Sequence, residues 1–150
     1  VPLTLRYPNA TRPWQHVLDP LAGYIILAQH LCCNGKEYAE SWNFGPSDDV
    51  LLTVGEMVDV VRALWGSEHL TVHIADVYQQ PHETTFLRLD CTKSLRRLSW
   101  KAQLPLKEAI RFTVDWYKHF LDGKTNMRDY SLLQIQQYQN LLEQQVAQRV

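Results

Sequence analysis

No apolar run in this chain is long enough to cross a bilayer, and no charged stretch followed by an apolar core marks a secretory leader. Positive charge is not in excess. Fifteen Lys and Arg against sixteen Asp and Glu leave a net charge of -1, which argues against the basic face of a nucleic-acid binder. Cysteine is scarce: Cys32, Cys33 and Cys91. Adjacent cysteines bridge poorly and the count is odd, which argues against a secreted disulfide scaffold, and the lack of a Cys-x-x-Cys argues against structural zinc. The three are expected to be small packed residues in a reducing compartment. There is no internal repeat, and the six glycines are scattered. These absences predict a soluble cytoplasmic protein with no membrane or nucleic-acid partner.

What is present is ordinary globular material: 150 residues, 45% hydrophobic and 21% charged, enough for one core. Val1 to Leu5 predicts a strand leading to a turn at Tyr7-Pro8-Asn9. Asp19-Pro20 reads as a helix opening, with Asp19 as the cap, and Leu21, Tyr24, Ile25, Ala28, Leu31 and Cys32 recur at helical spacing up to Asn34-Gly35. Trp42 to Phe44 predicts a short strand. Thr53-Val54-Gly55-Glu56 fits a capping box ahead of an apolar face that ends at Gly66. Leu70 to Ile74 and Phe86 to Asp90 alternate as strands do. Helices are predicted from Thr92 to Leu98, from Leu106 to Phe120 with a stop at Gly123, and over the Gln- and Leu-rich stretch from Asp129. That last helix docks either on the body or on a partner chain. The order is mixed α/β.

Arg12-Pro13-Trp14-Gln15-His16-Val17, followed by Ser41-Trp42-Asn43-Phe44-Gly45-Pro46, carries the chemistry. Arg12 offers a rigid fork of donors and Asn43 a carboxamide, and together they suit the oxygens of a pyrophosphate. With Gln80-Pro81-His82-Glu83, Leu89-Asp90-Cys91-Thr92-Lys93-Ser94, Leu98-Ser99-Trp100-Lys101 and Thr113-Val114-Asp115-Trp116-Tyr117, these stretches resemble the C-terminal part of the extended short-chain dehydrogenase/reductases that modify nucleotide sugars. Relatives mostly read Arg-Asp-Trp or Arg-Asp-Tyr at the first motif. The Arg-Pro-Trp-Gln-His-Val form, approached by Tyr7-Pro8-Asn9-Ala10, is similar to the branch whose substrate is CDP-glucose.

The resemblance implies an α/β substrate-binding portion over residues 1–125 and a helical tail over 126–150. It also implies NAD as cofactor, a nucleotide-sugar substrate, and a homo-oligomer in the full-length protein. Arg12 and Asn43 are placed by it at the diphosphate. Gln80 stands where relatives carry a second phosphate-binding Arg, which exchanges a full charge for a weaker neutral donor; Arg88 or Arg6 is expected to compensate. Gln15 is a further candidate donor, Trp14 a candidate wall of the site, and His16 a residue beside it. His82 and Glu83 read as a structural pair, and the Lys93-Ser94-Leu95-Arg96-Arg97 cluster as the solvated face of a short helix.

The implied reaction is an internal redox: hydride moves from hexose C4 to NAD, water leaves across C5 and C6, and the hydride returns to C6. It needs a glycine-rich dinucleotide cradle and a Tyr with a Lys four residues on. Neither occurs in this sequence. The chain is therefore predicted to be inactive alone, as a C-terminal fragment with an apolar contact surface left uncovered. Two other readings stay open here: another nucleotide-sugar dehydratase or epimerase, and a non-catalytic nucleotide-binding module.

Overall fold

Residues 2–47, 51–66, 70–75 and 84–147 are described by a computed structural model. Among them, β1 (Leu3–Leu5) and β2 (Val72–Ile74) form a two-stranded parallel sheet with Leu3 opposite Val72 and Leu5 opposite Ile74. The described residues also form five α-helices, which pack mainly on one another: α1 (Leu18–Asn34), α2 (Val54–Trp65), α3 (Thr92–Leu98), α4 (Leu106–Asp122) and α5 (Met127–Ala147). A 3-10 turn over Gly35–Tyr38 follows α1.

The α2 start is the predicted one. Thr53 accepts from the Glu56 backbone N–H while the Glu56 carboxylate accepts from the Thr53 N–H, so both orphan donors are used. At its end Gly66 turns left-handed, φ 73°, a conformation that costs glycine nothing. The apolar face of α2 then packs on α4. The Gln-rich stretch docks on the body. Leu104, Ala109 and Phe112 form one core cluster with Tyr138 of α5, against Leu18 and Ala22 of α1. A second cluster joins Phe44, Leu98 and Trp100 to Ile26 and Leu27.

Close packing of α1 on this second cluster depends on Gly23. A Cβ there would overlap the Phe44 ring and stand 3.0 Å from the Trp100 indole nitrogen. Alanine is the better helix former by about 0.5–1 kcal/mol, but overpacking costs about 1–3 kcal/mol. Gly23→Ala is expected to lower the urea midpoint; an unchanged or raised midpoint would show that the helix yields without strain.

Four expectations need correction. Asp19 does not cap α1, which begins at Leu18 after Val17 with no side-chain cap; Pro20 still falls in the first turn, where a missing N–H is harmless. Neither Trp42–Phe44 nor Phe86–Asp90 forms a strand, apart from one bridge from Phe86 to Thr11. Their backbone groups are taken by side chains and isolated bridges instead of a ladder. Cys32 and Cys33 are exposed and Cys91 is half-buried, so the cysteines are not a packed set. The first two sit on the outer side of α1, where Leu21, Tyr24, Ile25 and Leu31 are exposed as well. α1 is therefore apolar on both its inner and its outer face, which marks a helix made to be covered on two sides.

Candidate functional site

Thr11 is the pivot of the site. It bridges Thr53 on one side and Phe86 on the other, and its N–H donates to Thr85 O at 2.8 Å. Arg12 follows, and its Nη1 donates to Thr11 O at 2.8 Å and Thr84 O at 3.0 Å. These two carbonyls fix the plane of the guanidinium. A tight turn across Pro13, closed by Trp14 N–H on Arg12 O at 2.9 Å, then sends the chain toward α1. The Trp14 indole donates to Leu52 O at 2.9 Å, anchoring that turn beside α2.

Asn43 is reached from the far end of the same segment. Its Nδ2 donates to Asp90 O at 3.1 Å, so Arg12 and Asn43 are attached to the first and last residues of 84–90. Gln15 shortens the route between them. Its Nε2 donates to Phe44 O at 2.8 Å, linking a residue three beyond Arg12 to the neighbour of Asn43. Three residues of extended chain reach about 10 Å, which bounds the backbone span from Arg12 to Gln15.

Arg88 lies exposed on that 84–90 segment, and Arg6 lies exposed beyond β1. Gln80, with Pro81, His82 and Glu83, lies outside the described residues. The Gln15 carboxamide faces inward: its donor is on Phe44 O and its Oε1 is buried without a hydrogen-bond partner. Cavities of about 460, 390 and 320 Å³ all include Gln15 in their walls, the last with Trp14, Pro46 and Ser47. His16 is buried edge-on against Phe112, and burial holds its imidazole below the ordinary value, opposed by the charge of Asp19.

Sequence reasoning missed the groups that organise these segments. Asp19 is 0% exposed. Its Oδ1 accepts from Gln103 N–H at 2.7 Å and Tyr138 O–H at 2.9 Å, its Oδ2 from Leu104 N–H at 3.4 Å, and its carbonyl from the Trp100 indole at 3.1 Å. Burial pushes its carboxyl above the ordinary value, and those side-chain and backbone donors pull it part of the way back. Asp90 accepts from Thr92 N–H at 2.8 Å, and hydrogen bonds from Thr92 hold its carboxyl below the usual range.

The basic cluster of α3 is paired rather than simply solvated. Lys93 and Arg97 both bind Glu40, and they stand 4.7 and 5.4 Å from the Trp42 ring centroid. Trp42 stacks on Tyr38, and Tyr38 on His30. Among the described residues no group of His, Cys, Asp and Glu is arranged to hold a metal, and no helix is long and apolar enough to cross a membrane.

This architecture is that of the C-terminal part of the extended short-chain dehydrogenase/reductase dehydratases. It superposes on dTDP-glucose 4,6-dehydratase from Bacillus anthracis in complex with NAD with a TM-score of 0.59, at 19% identity, covering 78% of this chain and 34% of that one. RMD from Pseudomonas aeruginosa complexed with NADPH gives 0.56 at 17% identity, covering 73% and 32%. In sequence the chain is related to CDP-glucose 4,6-dehydratase of Salmonella typhimurium, 41% identical over 120 residues. That match takes in 80% of this chain and 33% of the relative, so the chain spans about a third of the proteins it matches. No protein-family model matches it.

Proposed function

We propose that this chain is the nucleotide-sugar-binding part of a dehydratase that converts CDP-glucose to CDP-4-keto-6-deoxyglucose. The observation that carries the reading is the 41% identity to an enzyme of that specificity over 120 residues. The tethering of Arg12 and Asn43 to one segment, with Gln15 between them, supports it. In this reading Arg12 and Asn43 grip the diphosphate from two sides, and Arg88 or Arg6 supplies the further positive charge that Gln80 does not. Gln15 contributes by holding Phe44.

NAD is the cofactor of the proposed enzyme, and the residues of this chain do not fit it. Gly35, Gly66 and Gly123 end helices, Gly23 sits inside α1, and none belongs to a strand-turn-helix cradle. The catalytic Tyr-x-x-x-Lys is not in the sequence either. What the chain supplies is substrate recognition. The uncovered outer face of α1 suits packing against the part of the enzyme that carries those groups, and 150 residues on their own are expected to associate and to turn over no substrate.

Calorimetric titration of the longest natural form of the protein with CDP-glucose, UDP-glucose and dTDP-glucose tests the assignment. CDP-glucose is expected to bind most tightly; equal binding of the three sinks the cytidine specificity. Arg12→Ala is expected to weaken binding by about 1.5–3 kcal/mol, the worth of a charged hydrogen bond. Unchanged affinity would take Arg12 out of the site.

A further inference from the structure

The run Trp42–Gly45 belongs to no strand, yet its backbone is held at almost every step by a side chain from elsewhere. Ser94, on α3 and 0% exposed, donates from Oγ to Asn43 O at 2.5 Å. Gln15 donates to Phe44 O, and Gly45 N–H reaches Cys91 Sγ at 3.1 Å. On the other flank the Trp42 indole donates to Tyr38 O at 3.0 Å and lies beneath Lys93 and Arg97. A loop with only main-chain folding requirements needs none of these. A turn that must present one side chain in a single orientation needs several, because each removes a rotation that binding would otherwise have to freeze.

We propose that Ser94 is a positioning residue for substrate binding: its hydroxyl fixes the Asn43 carbonyl, and the Asn43 carboxamide is thereby aimed at the diphosphate. This rests on the reading of Asn43 as a diphosphate contact. Asn43 Nδ2 carries two hydrogens, and the bond to Asp90 O engages one of them. The direction of the second is set by the side-chain torsions, the Asp90 bond and the backbone at residue 43 together, so holding that backbone narrows where the carboxamide can point. Ser94 fixes the carbonyl of that backbone, and the adjacent Phe44 carbonyl is fixed by Gln15. The sequence gives no sign of this, since a serine in the middle of a short basic helix reads as solvated.

A double-substitution cycle in the longest natural form of the protein tests it, with CDP-glucose affinity as the readout. Asn43→Ala is expected to weaken binding about tenfold, by loss of one hydrogen bond to a charged group. Ser94→Ala is expected to weaken it about three- to tenfold, and adding Ser94→Ala to Asn43→Ala should weaken it no further. Asn43-Phe44 is the only Asn-Phe pair in this chain, so carbonyl-labelled Asn with nitrogen-labelled Phe reports it through a single resonance from these 150 residues. That signal should shift in Ser94→Ala, while a distant substitution of equal thermal cost leaves it in place. If Asn43→Ala binds normally, the diphosphate reading fails. If Asn43→Ala weakens binding while Ser94→Ala is silent, or the two effects add in full, that reading stands and the positioning role of Ser94 is overturned.

Discussion

Asp19→Ala is expected to remove a large share of the stability of this fold. The carboxylate is the shared acceptor for Gln103 N–H, Leu104 N–H and Tyr138 O–H, and its removal leaves two buried donors and one half-buried donor unanswered. Each orphaned donor costs about 1–3 kcal/mol, and broken buried networks cost about 3–5 kcal/mol in all, against a total of about 5–15 kcal/mol for a domain. Asp19→Asn is expected to cost far less. Its remaining oxygen keeps the two short bonds, and its amide faces only the long 3.4 Å contact to Leu104.

The pair also separates in pH. Burial raises the Asp19 carboxyl, so the folded chain holds that proton more tightly than the unfolded one. The resulting stability is complete below the ordinary carboxylate value and is lost as pH rises through the raised one. His16 acts in the other direction: burial lowers its imidazole, so its contribution is complete above the ordinary imidazole value and is lost as pH falls through the lowered one. Asn at position 19 removes the first dependence and keeps the second. Urea midpoints should therefore show wild type ahead of Asp19→Asn by most at about pH 4, with the gap closing toward neutrality. A gap that widens with pH would contradict the buried-carboxylate account.

Trp100→Ala is the second large effect, about 3–5 kcal/mol for an aromatic removed from a core. Trp100 is buried, meets Phe44 edge-on at 4.9 Å, and donates to Asp19 O. It therefore joins the Asp19 network to the Asn43 turn, and its loss should be felt in both. Trp100→Phe keeps a ring against Phe44 and gives up one hydrogen bond, worth about 1 kcal/mol. Thermal melts of the two variants separate ring from donor. A nucleotide-sugar titration on Trp100→Phe then asks whether the turn stays set, which is the expected outcome. If Trp100→Phe is as damaged as Trp100→Ala, the indole bond rather than the ring governs the site.

The helices were legible because their signals are local. The Thr53–Glu56 capping box, the Gly66 and Gly123 stops and the apolar spacing of α4 each fit within one or two turns of chain. The Arg12 and Asn43 motifs were singled out by resemblance, and their role at a diphosphate is a proposal. The failures share a cause in distance along the chain. Asp-Pro at 19–20 looks like a cap in any short window, and what overrides it comes from residues 84, 85 and 119 positions away. Trp42–Phe44 looks like a strand, but its carbonyls are claimed by Ser94, 51 positions away, and Gln15, 29 positions away. Periodicity reports which residues prefer a buried face and says nothing of which side chain will claim a given carbonyl.

The bond from Tyr138 to Asp19 closes a loop of 119 positions, and this matters while the protein is being made. At about 5–20 residues per second, translation delivers the tyrosine roughly 6–24 s after the aspartate has appeared. Throughout that interval the nascent segment carries a half-answered acid beside greasy helix surface, the kind of surface a chaperone recognises. Completion of this core cluster waits until α5 has left the ribosome.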